Sequence, residues 1–136
     1  MRDRVFLDAN VLFSAAWRAD SGLLRLWRLD VVRVTSSYAL EEALRNLDPE
    51  RRSRLRVLRG DVDVIDHRPE HLDLPAGVRL PADDRPILGA AIAAGAAAGA
   101  SHLLSGDRRA FGELYGRRVE GVLVLRPAAY LRAAAG

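Results

Sequence analysis

The sequence predicts an α/β fold: a single Rossmann-like three-layer α/β/α domain spanning residues 1–136, built around a mostly parallel central sheet. Two observations carry this. Short apolar or β-branched runs at residues 5–7, 31–35, 62–65, 100–104 and 122–125 alternate with stretches of helical periodicity, the pattern of strand–helix–strand units. The first run, Val5-Phe6-Leu7, is apolar throughout, as in strands buried on both faces of a parallel sheet. With 136 residues, 49% of them hydrophobic, the chain suits one compact domain with a core of ordinary size. No linker or internal repeat interrupts it.

In chain order, residues 5–7 form a strand ending at Asp8, and residues 11–17 begin a helix. Asp20-Ser21-Gly22 breaks that helix, and Leu23, Leu24, Leu26 and Trp27 resume an amphipathic pattern. Residues 31–35 are the second strand. Ser36 or Ser37 caps the following helix, which carries Tyr38, Leu40, Ala43, Leu44 and Leu47 and stops at Asp48-Pro49. Residues 50–59 form a very basic helix with a solvated face, and RNA backbone contact is its alternative role. A third strand at 62–65 precedes a loop over 67–81 with three prolines. Asp83 or Asp84 opens a helix running to about residue 98, with Gly99 as its stop. The fourth strand covers 100–104, a short helix 110–115, and the fifth strand 122–125. Pro127 starts the last helix.

Composition narrows the chemistry. All 21 basic residues are arginine and there is no cysteine. Lysine-dependent mechanisms, disulfides, thiolate nucleophiles and cysteine–zinc sites are therefore excluded. The net charge of +3 suits a polyanionic partner. Asp8 and Asn10 interrupt the N-terminal apolar run too early for an export signal. The apolar stretch 89–100 has twelve residues, three of them glycine, and is too short to span a bilayer. A cysteine-free chain of this kind reads as cytoplasmic, without membrane contact.

Acidic residues fall where such a sheet binds ligands, beyond the carboxyl ends of its strands. Asp8 follows the first strand, and Asp107 stands three residues after Leu104. Glu42 lies about one turn into a helix that follows a strand, and Asp84 begins another helix. Glu41 and Asp83 are their immediate competitors. Each of these acids has a simpler reading as a turn residue, a helix cap or a solvated side chain; their joint placement on one edge sets them apart. Two like charges ~4 Å apart repel by roughly 4 kcal/mol at an effective dielectric near 20, so four converging carboxylates need a cation. Hard oxygen ligands select magnesium or manganese. Phosphodiester hydrolysis is the reaction that most needs such a site, with one retained water attacking phosphorus.

The spaced pattern resembles the PIN-domain family. Residues 7–12 (LDANVL) resemble its first motif, 36–47 (SSYALEEALRNL) the second, 80–94 (LPADDRPILGAAIAA) the third and 100–111 (ASHLLSGDRRAF) the fourth. The resemblance implies that Asp8, Glu42, Asp84 and Asp107 hold Mg2+ or Mn2+ and act in catalysis, with Glu42 preferred over Glu41 and Asp84 over Asp83. Asn10 would orient Asp8 or a water, Ser105 would support the site through its hydroxyl, and Asp83 would serve as a helper acid. The implied activity is a metal-dependent endoribonuclease acting on RNA, similar to the VapC toxins of toxin–antitoxin pairs, with a small antitoxin protein as partner and a homodimer as assembly. Ala9 departs from the commoner threonine, and the proline-bearing loop before Asp84 is long for a minimal toxin.

Arg108 and Arg109, beside Asp107, are candidates for RNA phosphate contact. His67 and His71 share no helix pattern, His102 reads as a packed strand residue, and Trp17 and Trp27 read as core or interface. Haloacid-type phosphatases, response-regulator receiver domains and P-loop enzymes all need a lysine that this chain lacks. The remaining rival is a non-catalytic module of the same fold that binds RNA or a protein partner.

Overall fold

The computed structural model describes residues 2–66, 74–98 and 101–135. Within them the chain runs through β1 (Arg4–Leu7), α1 (Ala9–Trp17), a 3-10 helix at Gly22–Trp27, β2 (Val32–Ser36), α2 (Ser37–Arg45), α3 (Pro49–Arg59) and β3 (Val62–Ile65). A 3-10 turn at Ala82–Asp84 leads into α4 (Arg85–Ala98), β4 (His102–Leu104), α5 (Arg108–Phe111), a further 3-10 turn at Gly112–Leu114, β5 (Arg118–Val119), β6 (Val122–Leu125) and α6 (Pro127–Ala135). The sheet order is β3-β2-β1-β4-β6-β5. All pairings are parallel except β5 with β6.

β1 is the centre of this arrangement because its residues are apolar on both faces. Val5, Phe6 and Leu7 are fully buried; Phe6 pairs with Val34 on one side and Leu103 on the other. The chain steps one way from β1 to β2 to β3, then back across β1 to β4. With right-handed crossovers, these opposite steps send the connecting helices to opposite faces. Accordingly α1 packs with α2 and α3, whereas α4 lies across β2, β1, β4 and β6. Ile87 and Leu88 of α4 and Phe111 after β4 complete the buried layer.

Three expectations need correction. The sheet has a sixth strand, β5, that periodicity passed over because it is only two residues long. It forms a hairpin with β6 through Glu120 (φ 49°) and Gly121 (φ 84°), a two-residue turn of the mirror-image kind whose twist matches paired strands. Residues 22–27 form a 3-10 helix and not a resumed α-helix; the Ser21 hydroxyl caps it by accepting from Leu23 N at 3.3 Å. Finally, α4 itself begins at Arg85, one residue after Asp84; Asp83 and Asp84 open the helical stretch without being in α4. They occupy the 3-10 turn before it, where Asp84 N donates to Pro81 O at 3.0 Å. The described part of the proline-bearing loop, residues 74–81, has no helix or strand. His67, His71, Gly99 and Ala100 lie outside the described residues.

The basic helix α3 is used structurally. Asp48 caps it, accepting from Arg51 N at 2.8 Å, with Pro49 in the first turn. Arg54 donates to Ala16 O and Arg51 to Trp17 O, each at 2.8 Å, and Arg52 donates to Leu44 O at 2.8 Å. Three guanidinium groups thus satisfy carbonyls in the last turns of α1 and α2, where cations are favoured. Arg51 also lies 3.8 Å above the exposed ring of Trp17, which stacks on Phe13. Trp27 is partly buried against the core and donates to Leu58 O at 3.0 Å. No helix among the described residues is long and apolar enough to cross a membrane.

Candidate active site

The chain leaves β1 and β4 in opposite directions, so a crevice opens between their carboxyl ends. Asp8 stands at the end of β1 and Ser105-Gly106-Asp107 at the end of β4, joined by Asp8 N donating to Leu104 O at 3.1 Å. Asp8 is buried, with 3% of its surface exposed. As the N-cap of α1 its Oδ1 accepts from Ala9 N at 2.6 Å. Its Oδ2 accepts from Asn10 Nδ2 at 2.9 Å and from the Ser105 hydroxyl at 2.7 Å. Asn10 Oδ1 in turn accepts from Gly106 N at 2.8 Å, and Ser105 Oγ accepts from Asp107 N at 3.1 Å. A Cβ at Gly106 would stand 3.3 Å from Asn10 Oδ1, which gives this glycine a steric reason beyond turn flexibility. The two strand ends are thus laced together by Asn10 and Ser105.

Burial overrides these donors. Desolvation pushes the Asp8 carboxyl up from 3.8 to about 6, opposed by the Ser105 and Ala9 hydrogen bonds and reinforced by the negative charges of Asp84 and Glu42. Ser105→Ala removes a hydrogen bond to a charged, buried group, a loss of about 2 kcal/mol. Urea unfolding at pH 8 should show that loss, and at pH 4, where Asp8 is protonated, a clearly smaller one. An equal loss at both pH values would mean that Ser105 does not act through the Asp8 charge.

The other acids come from three further elements. Glu42, in α2, is partly buried while Glu41 is exposed. Burial raises the Glu42 carboxyl above its ordinary range; Asp84, Asp83 and Asp107 add to the rise, and Arg45 opposes it. Asp84 is raised by burial and by the charges of Asp107 and Asp83. Asp107 caps α5, its Oδ1 accepting from Arg109 N and Ala110 N at 3.1 Å each. Asp8 and Asp107, whose simpler reading is a turn residue, each cap a helix with one carboxylate oxygen, while Glu42 and Asp84 make no capping hydrogen bond among the described residues. The four acids share one electrostatic field. Among the described residues, however, no three acidic or histidine side chains stand in a ready-made metal-binding arrangement.

Three positioning contacts were not evident in the sequence. Tyr38 donates to Asp83 O at 3.0 Å and ties α2 to the turn carrying Asp84. Tyr115 donates to Ser105 O at 2.8 Å, and Thr35, at the end of β2, donates to Leu7 O at 2.8 Å. Two clefts flank the acids. One, of ≈ 470 Å³, runs along Asn10, Phe13, Glu42 and Asn46. The other, of ≈ 480 Å³, lies between Arg79-Leu80-Pro81 and the segment from Arg108 to Glu113. Arg108 and Arg109 line this second cleft; Arg79 joins them from the loop, where no sequence pattern marked it. His102 is at the opposite end of the sheet, edge-on to Tyr130 with ring centroids 4.9 Å apart and Nδ1 2.7 Å from Ser101 Oγ. It packs a strand end and is remote from the acids.

No family model matches the sequence, and no curated protein matches it. Among solved structures, the chain is similar to a chain in the crystal structure of VapBC2 from Rickettsia felis bound to a DNA fragment from their promoter. The TM-score is 0.62 at 15% identity, over 90% of this chain and 98% of the other. At that identity the likeness is one of fold.

Proposed function

We propose that this chain is a PIN-domain endoribonuclease in which Asp8, Glu42, Asp84 and Asp107 hold one or two Mg2+ or Mn2+ ions. The observation that carries this reading is the shared field of the acids at the β1/β4 crevice: Asp8, Glu42 and Asp84 are each raised by burial and by one another or by Asp107. A group of carboxylates destabilised as anions fits a hard divalent cation, which removes the cost of ionising them. Glu42 and Asp84 have no hydrogen-bond or ion-pair partner for their carboxylates among the described residues, so they are free to turn toward an ion. Asp8 is held in place by Asn10 and Ser105 and would serve as the fixed ligand.

A bound divalent cation supplies charge neutralisation at a phosphate and acidifies a water in its shell. The chain's own residues orient the site. Asp8 presents one fixed carboxylate, the Ser105 hydroxyl and the Asn10 amide keep that carboxylate from rotating, and the buried strand ends exclude water from behind it. Asp83, one residue from Asp84, adds negative charge at the rim as a helper acid. The fold likeness to a chain of a VapBC2 complex supports the further proposal that the protein is a toxin whose partner is a small antitoxin.

The test is cleavage of a fluorescent RNA in Mn2+ and in EDTA, with Glu42→Gln compared against Glu41→Gln. Cleavage should require the metal, fall by roughly 10²-fold in Glu42→Gln, and change by less than about twofold in Glu41→Gln. Metal-independent cleavage, or equal effects of the two variants, would refute the assignment. RNA binding without cleavage would favour the non-catalytic module.

A further inference from the structure

The cleft of ≈ 480 Å³ beside the acidic centre is lined by Arg79, Arg108, Arg109 and a single acid, Glu113. We infer that it is a phosphate subsite, which takes the phosphodiester next to the one held at the acids and so sets the path of a single RNA strand. This rests on the reading of the acidic centre as a nuclease site.

Connectivity places the cleft. Pro81, one of its wall residues, accepts from Asp84 N at 3.0 Å. On the other wall, Arg108 and Arg109 directly follow Asp107. Each wall therefore continues into one of the acidic residues, so a strand with one phosphate at the acids can carry its neighbour into this cleft.

The charges in the cleft are uncommitted. Arg51, Arg52 and Arg54 of α3 are spent on helix carbonyls, and Arg33 clasps the carbonyls of Leu26, Leu29 and Asp61. Among the described residues, the side chains of Arg79, Arg108 and Arg109 have no such hydrogen bond and no ion pair, and all three are exposed. The neighbouring Asp107 makes no ion pair with Arg108 or Arg109 among the described residues; its Oδ1 accepts from the backbone nitrogens of Arg109 and Ala110. Three arginines from two segments line one concave space, and guanidinium forks are suited to a doubly coordinating oxyanion. Phosphate is favoured over the carboxylates of an acidic peptide because a polynucleotide has an anion for the cleft and another for the cation at the acids, at a fixed spacing along one chain.

The experiment measures binding of a fluorescein-labelled 12-nucleotide RNA by anisotropy in EDTA across a salt series. Arg79→Gln/Arg109→Gln is compared with Arg56→Gln/Arg59→Gln, which removes the same net charge from exposed positions on α3. The cleft variant should bind at least about tenfold more weakly, with the slope of log K against log salt reduced by about 0.7 for each lost phosphate contact; the α3 variant should stay within about twofold. Equal losses in both variants, no loss in the cleft variant, or a wild type that binds no RNA overturns the subsite. So does loss of poly-glutamate binding with RNA binding intact, which would assign the cleft to an acidic protein partner. A wild type that binds RNA through these arginines but does not cleave it in Mn2+ leaves the subsite standing and removes the nuclease reading.

Discussion

Asp8→Asn is expected to reduce metal-dependent RNA cleavage by about 10³-fold or more, while the protein remains folded. The substitution keeps the shape of the side chain and one oxygen, which can still accept from Ala9 N and cap α1. It removes the charge from the only one of the four acids that is almost wholly buried and fixed by two side-chain donors. A cation at the site is worth several kcal/mol to the reaction, and each 1.36 kcal/mol corresponds to tenfold in rate. An amide nitrogen would also face the Asn10 amide, donor against donor, where Oδ2 now accepts at 2.9 Å. The measurement is single-turnover cleavage at saturating enzyme, with circular dichroism of both proteins. Equal cleavage by wild type and variant would remove Asp8 from the chemistry.

The second large effect is on stability. The Asp8 carboxyl is raised from 3.8 to about 6 in the folded protein, so the folded state binds the proton more tightly than the unfolded chain. Its ionisation therefore costs the fold nothing below pH 4, and the cost grows through pH 4–6 and is complete above it. The rise from 3.8 to about 6 corresponds to roughly 3 kcal/mol. Glu42 and Asp84 are raised as well and act in the same direction. The metal-free protein should accordingly lose stability between pH 4 and pH 7. Mn2+ at a hundred times its Kd should return about 2.7 kcal/mol, on the order of 10 °C in Tm for a chain of this size, at pH 7.5 and much less at pH 5. Thermal melts at the two pH values with and without Mn2+ read this directly. A Tm that rises with pH in EDTA, or one that Mn2+ leaves unmoved at pH 7.5, contradicts it. Asp8→Asn should flatten the pH dependence.

The parts of the fold that were legible in the sequence are those where one side-chain pattern admits one geometry. Val5-Phe6-Leu7, apolar throughout and opening an alternation of strands and helices, reads as a strand buried on both faces, and that makes Asp8 a strand-end residue. Ser105-Gly106-Asp107 was legible for the same reason. The choice of glutamate was harder, because adjacent helix positions differ by 100° in direction. The preference for Glu42 rests on the family resemblance; on α2, Glu42 is partly buried, three residues from the buried Ala39, whereas Glu41 is exposed. β5 was not legible because two residues hold no period, although Gly121 between two valine-bearing segments marked the turn. Arg79 and Tyr115 were not legible at all. Their roles depend on segments that meet only after the chain has crossed the sheet, and nothing in the flanking residues records that meeting. The arginines of α3 divide: Arg51, Arg52 and Arg54 reach carbonyls of other helices, whereas Arg56 and Arg59 keep the exposed basic face that the composition suggested.

The divide between β1 and β4 has a consequence for how such a protein can change over time. The crevice exists because the path of the chain reverses there, and no individual side chain creates it. Substitutions throughout the core can accumulate without closing it, so long as the order of the strands is kept. A chain of 15% identity can share the fold over 90% of this one. The least room for substitution is at the parting of the two strands, where Asp8, Asn10, Ser105 and Gly106 hold one another by direct contact.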